Sequence, residues 1–402
     1  MRAQDACPTP WQLEEVLRIG SFESEDLVAG VVDLAIGPDS ALYVAQGLVP
    51  AITVFSLDGQ FLRRIGRAGQ GPGDFDFVAT KVGWIGDTLW VADRRRVQLF
   101  TDGDRVPEEI IEFILPVPEE GSRLLPTRVL ADGTLLARRI WTAGLGPWLS
   151  RGADPGLPLR RFSRSGKVLD TIAIIHWPDN ALEYENDRGG RVFVEHPLRD
   201  LPPLGLNEYL TALKPDGSAV VRIGNVREDA TPATFDILAI SIHGDTLLHR
   251  TVEYKPREVT SAMERRLADE LAGWLAGDYR TGSSGWPVLT ETTLERRRRA
   301  VRSAFWAPEL LPPVRQVVAG TDGTIWLLRE LREDRVDVWE IHDAEGALEG
   351  TVEIADGRGS YQPWSPRLAV ALASRDDVWG TTYGELDVPY IHRYRVDRTC
   401  GE

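Results

Sequence analysis

Short apolar runs separated by turn residues fill most of the chain, and one unit of that pattern recurs. Its first half is a turn of acid with glycine or serine, followed by aliphatic and aromatic residues. The copies are PDSALYVA (38–45), GDTLWVAD (86–93), DGTLLAR (132–138), DGSAVVR (216–222), DGTIWLL (322–328) and RDDVWGT (375–381). Its second half is an apolar run, a turn centred on Gly and another run: VFSLDGQFLRRIG (54–66), QLFTDGDRV (98–106), RRFSRSGKVLDTI (160–172), AISIHGDTLLHRTVE (239–253) and WEIHDAEGALEGTVE (339–353). The sixth copy stops after YIHRYRV (390–396), and EEVLRIGSF (14–22), at the other end of the chain, supplies the missing run.

Runs of this length bounded by Asp-Gly turns predict β-hairpins, so each unit predicts a meander of four strands, A to D. One such sheet leaves its faces uncovered, whereas radial repetition covers them and keeps the edges short. The pattern predicts an all-β chain, a single six-bladed β-propeller domain over residues 1–402 whose N-terminal strand closes the last blade. A β-sandwich does not account for the sixfold recurrence.

Apolar spacing predicts helices in VTSAMERRLADELAGWLAG (259–277), capped by Thr260 or Ser261, and in TETTLERRRRAVRSAFW (290–306). They form a helical insertion, 257–307, between blades four and five, either packed on the rim or serving as a lid. The other long connections are 138–159, from B to C of blade three, and 176–203, between blades. B-to-C and D-to-A connections emerge on one face of a propeller, and loops on a rigid scaffold are where binding resides. GQGPGDF (69–75) is the crossing from blade one to blade two. It reads as a fixed corner anchored by Phe75 or Phe77. A phosphate cradle is the rival, but no Gly-Lys-Ser/Thr ending and no helix follow it.

RRIGRAGQGPGDF with GDTLWVAD, DGTIWLLRE with VDVWEIHDAEGALEGTV, and DDVWGTTYGELDVPYIHRYRV together resemble the NHL-like six-bladed β-propeller family common in exported proteins of Gemmatimonadota and Bacteroidota. The resemblance spans about residues 14–396. It implies the fold and brings no defining catalytic set. Other six-bladed propellers, those resembling gluconolactonase and the streptogramin-inactivating lyases, hold an axial metal with Glu, Asn and Asp. The inner-strand positions here offer Asp33, Lys81, Arg128 and Arg315, too basic a set for Ca2+. No metal and no cofactor are expected.

A formal charge of -15 argues against nucleic acid as a partner. The basic runs Arg94 to Arg96 and Arg296 to Arg299 read as a solvated strand edge and a solvated helix face. No apolar run approaches the ~20 residues of a membrane span. Cys7 and Cys400 sit at opposite ends of the chain, and closing the last blade brings those ends together. A disulfide there would staple nearly the whole chain, worth about 4 to 5 kcal/mol in the chain-entropy model; two free thiols are the alternative. With the polar start MRAQDACPTP, like that of a chain matured by signal removal, this predicts a periplasmic or extracellular monomer.

Residues just after strand B project into the axial mouth of a propeller: Gln46, Asp93, Arg94, Arg138, Arg139, Asn225, Glu330 and Tyr383. With Arg128 and Arg315 from the inner strands, and Trp141 and Trp177 from the long loops, they make a candidate wall for an anionic small molecule, a glycan acid or a partner protein's acidic tail. Alternatively, Asp93 and Glu330 simply pair with the arginines. Trp90, Trp326 and Trp379 fall in the strand-B core slot. His243 and His342 read as surface turn residues. His176 and His196 flank EYENDRGG (183–190), where an acid could join them in metal or acid-base chemistry. Two functions follow: an exported, non-enzymatic binding or scaffolding propeller working through its loop-bearing face, or a hydrolase or lyase at the axial mouth using His176 or His196.

Overall fold

The computed structural model describes residues 10–20, 28–75, 81–93, 96–101, 107–112, 122–141, 157–175, 181–185, 191–195, 210–280, 290–329, 332–359, 366–384 and 388–399. The chain opens with β1 (Gln12–Ile19) and then lays down blade one as β2 (Val31–Ile36), β3 (Ala41–Gln46), β4 (Ile52–Ser56) and β5 (Phe61–Ile65). Blade two is β6 (Lys81–Ile85), β7 (Thr88–Ala92), β8 (Arg96–Phe100) and β9 (Glu109–Glu112); blade three is β10 (Ser122–Val129), β11 (Leu135–Trp141), β12 (Leu157–Phe162) and β13 (Val168–Ile175). A hairpin, β14 (Ala181–Glu185) and β15 (Arg191–Glu195), precedes blade four, which is β16 (Thr211–Leu213), β17 (Ala219–Arg227), β18 (Ala233–Ser241) and β19 (Thr246–Tyr254). Helices α1 (Ser261–Arg280) and α2 (Glu291–Ala304) come next. Blade five is β20 (Val314–Ala319), β21 (Ile325–Arg329), β22 (Asp337–His342) and β23 (Leu348–Ile354). Blade six is β24 (Ala369–Ala373), β25 (Asp377–Tyr383) and β26 (Pro389–Asp397), with β1 as its fourth strand.

The second strand of a blade is covered on both faces by its neighbours, so its apolar residues run on without alternating. Leu42, Tyr43 and Val44 in β3, Leu89 to Val91 in β7 and Trp326 to Leu328 in β21 are all buried. Trp379 fills the same slot in β25. Outer strands face water on one side, and there Phe61, Leu62, Leu247 and Leu348 are exposed. The A-to-B turns need a left-handed residue, which Gly323 supplies with φ 88° and Ser40 with φ 57°.

Closure is antiparallel, from Gln12 opposite Asp397 to Ile19 opposite Ile391. Trp11 then leaves blade six for blade five. Its N-H donates to the carbonyl of Thr351 at 2.7 Å, and it bridges Val352 in parallel. Its indole lies on Gly350, where a Cβ would stand 2.4 Å from the ring.

Met263, Leu267 and Leu271 of α1, spaced four apart, form a small core with Val301 of α2 and Leu311. Thr260 Oγ1 caps α1 by accepting from the N-H of Met263 at 3.2 Å. Arg266 Nη1 donates to the carbonyl of Glu333 at 2.8 Å, so the insertion stands on the B-to-C loop of blade five, and α2 lies against β14. In α2 the basic run is divided: Arg296 and Arg299 are exposed, whereas Arg297 is buried.

Candidate functional site: the axial cavity

The innermost strands surround a cavity of ≈ 400 Å³ on the propeller axis. Its charged lining, among the described residues, is Asp33, Lys81 and Arg128, one net positive charge in a chain that is strongly negative overall. Asp33 joins the first two blades: Oδ2 accepts from the N-H of Val82 at 3.0 Å, and Oδ1 lies 3.4 Å from Lys81 Nζ.

Arg128 is different. Nη2 donates to the carbonyl of Pro215 at 2.8 Å, and the guanidinium lies 5.9 Å from the centre of the Trp90 ring. Among the described residues no carboxylate pairs with it. Burial pulls its pKa down from the usual arginine value, and the more distant carboxylates of Asp33 and Asp216 only oppose that. Trp90 itself rests on Gly83, where a Cβ would lie 2.4 Å from the ring, and its buried Nε1-H has no acceptor among the described residues.

β-Bulges decide which residues reach the axis. The register slips between Pro126 and Arg128 in β10, and between Val314 and Gln316 in β20. A slip of one residue reverses the faces that follow it. In β20 it is Gln316 that lines the cavity, whereas Arg315, 6% exposed, turns away and stands 3.5 Å from Asp337 Oδ1.

Several residues after strand B are engaged inside their own blades. Gln46 is fully buried, accepting from the N-H of Ala29 at 2.6 Å and donating to Thr53 Oγ1 at 2.7 Å. Asp93 accepts from both the backbone and Nε of Arg96. Asn225 Nδ2 donates to Asp236 Oδ2 at 2.7 Å. Tyr383 donates its N-H to the carbonyl of Arg358 at 2.6 Å. The backbone of Arg138, Arg139 and Trp141 lies in β11. Arg94, Glu330, Trp177, His176, His196, Cys7 and Cys400 lie outside the described residues. His342 is buried rather than on the surface, because Nδ1 meets the carbonyl of Gly346 and Nε2 the Glu340 carboxylate, at 3.1 and 3.3 Å.

The glycine-rich crossing is a corner, with its polarity opposite to that of an anion cradle. Phe75 is fully buried against Gly66, where φ is 81° and a Cβ would lie 2.2 Å from the ring. Carbonyl oxygens converge on Arg96: Nη1 donates to Gln70 at 3.1 Å, and Nη2 to Gly71 at 3.3 Å and Asp74 at 2.6 Å. Gln98 clamps the same loop by accepting from the N-H of Gly73 and donating to the carbonyl of Asp74. Arg96 is therefore a buried structural residue, not part of a solvated edge.

No family model matches the chain, and no curated protein does. Solved structures do. A member of the DUF4221 family from Bacteroides vulgatus is 9% identical with a TM-score of 0.51, over 97% of this chain and 99% of that one. A Bacteroides fragilis protein whose name marks it as exported is 11% identical with a TM-score of 0.46, over 98% of both chains. The calcium-binding protein regucalcin from Agrobacterium tumefaciens is 10% identical with a TM-score of 0.40, over 96% of both chains. The likeness to the DUF4221 protein is one of fold alone, and the six-bladed all-β propeller is displayed by the sheets themselves.

Proposed function

We propose that this chain is a non-enzymatic binding propeller that holds a small anionic molecule in its axial cavity, beneath a loop-bearing face available to a partner protein. One observation carries the reading: Arg128 places a half-buried guanidinium on the axis with a carbonyl and an indole face as its partners. A half-buried charge without a close counter-charge loses part of its hydration, and an anion in the cavity offsets that loss. The reading also takes the chain as an exported, NHL-like propeller closed by a Cys7–Cys400 disulfide. In its support, the β1–β26 ladder runs to Gln12 opposite Asp397, within a few residues of both cysteines. No helix among the described residues is long and apolar enough to cross a membrane.

The test is a titration of the folded protein with benzoate, phosphate and sulfate at constant ionic strength, followed by ligand-observed NMR, on the natural chain and on Arg128→Met. Saturable binding of at least one anion that Arg128→Met weakens about 10-fold or more supports the reading. Binding of none of them, or equal binding to both proteins, rules it out.

A further inference from the structure

The axial cavity also restricts the kind of anion. Its charged lining nets one positive charge, because Asp33 already answers Lys81. A monoanion balances that charge. A dianion such as phosphate near neutral pH leaves negative charge beside Asp33 and the nearby Asp216. About half of the cavity surface is apolar: Val32, Leu213, Val318, Ala371 and Leu372 face it, with Gln316, Thr211 and Thr381 among the polar side chains. An inorganic ion would leave that apolar surface wet, whereas an organic body covers it.

Arg128 marks the anion end. The Arg128 guanidinium is a rigid fork suited to two carboxylate oxygens. Beside it lies the Trp90 indole, 1% exposed, its ring centre 5.9 Å from the guanidinium.

We infer that the axial ligand is an organic monocarboxylate, its carboxylate on Arg128 beside Trp90 and its apolar body along Val32, Val318 and Ala371. This rests on the reading of the cavity as an anion site.

Sodium benzoate and sodium hexanoate serve as probes against inorganic phosphate, with Ala371→Leu as a second variant. Ala371 is exposed, so the larger side chain intrudes on the cavity without entering a packed core. The expected result is that both carboxylates bind at least about 10-fold more tightly than phosphate. Arg128→Met and Ala371→Leu each weaken them by a similar factor, and Arg128→Lys weakens them less than Met does. Arg128-dependent binding of phosphate with none of the carboxylates overturns this inference and leaves the anion site standing. Arg128-independent binding of every probe overturns both. Should Arg128→Met fail to fold, Ala371→Leu decides: carboxylate binding that it leaves unchanged removes the body from the axis.

Discussion

Replacing Arg96 by Met removes one of the two β8 side chains, the other being Gln98, that tie blade two to the glycine-rich crossing. The guanidinium is 8% exposed, donates to three backbone carbonyls of that crossing, and pairs with Asp93, itself 2% exposed, at 3.2 Å. Met keeps the apolar stem and deletes the charge. The three carbonyls then lose their donor, though Gln98 still holds that of Asp74, and the Asp93 carboxylate keeps the backbone N-H of residue 96 but loses its cation. Breaking a buried ion pair from one side costs about 3 to 5 kcal/mol. For a chain of 402 residues this corresponds to a fall in Tm of about 4 to 6 °C.

Differential scanning calorimetry measures the fall, and a double-mutant cycle apportions it. Asp93→Asn in the Arg96→Met background removes the stranded charge, so the double variant should recover about 2 kcal/mol relative to the sum of the single changes. Arg96→Lys should retain part of the pairing with Asp93 yet lose most of the carbonyl contacts, because an ammonium cannot span them as the planar fork does. A Tm for Arg96→Met within a degree of the natural chain, or strict additivity in the cycle, would refute the account of the crossing as a corner built around Arg96.

Trp11→Ala empties the site over Gly350 and should cost about 3 to 5 kcal/mol, seen as a lower urea midpoint; Gly350→Val should do similar damage by displacing the same ring. Asp236 gives a pH signature. Burial pushes its pKa up, but hydrogen bonds from Asn225, Thr251 and His249 and the charge of Arg227 more than reverse that, bringing it to about 2. A depressed carboxylate stabilises fully above its unfolded value near 3.8 and stops doing so as pH falls through 2. The natural chain should therefore lose about 2 kcal/mol more than Asp236→Asn between pH 6 and pH 2, measured by urea unfolding at each pH. For the terminal cysteines, thiol titration of denatured, unreduced protein should find no reactive thiol, and Cys7→Ser should expose one and lower Tm; two titratable thiols in the natural chain would discard the disulfide.

The fold was legible because the blades repeat the same local compromise: in blades one to five an A-to-B turn with a left-handed residue, and in all six a strand sandwiched between neighbours. Trp90, Trp326 and Trp379 mark that strand in sequence as plainly as in space. The site was legible only in part. Arg128 and Arg315 occupy comparable inner strands and read alike, yet one lines the axis and the other pairs with Asp337. Both strands carry a bulge, and the difference is position: Arg128 follows the slip in β10, whereas Arg315 is the extra residue within the slip in β20, and nothing in the local pattern of either strand announces which. Arg96 misleads for a related reason. A run of three arginines looks solvated, and its burial is created by carbonyls lying 22 to 26 residues earlier. Backbone oxygens carry no sequence signature, so a residue recruited by them is invisible until the chain has folded. The same logic gives Arg128 its weight. A guanidinium held by several carbonyls and a carboxylate, as Arg96 is, is fully answered from within; the half-buried one on the axis has a single carbonyl, and the proposed anion site rests on that contrast.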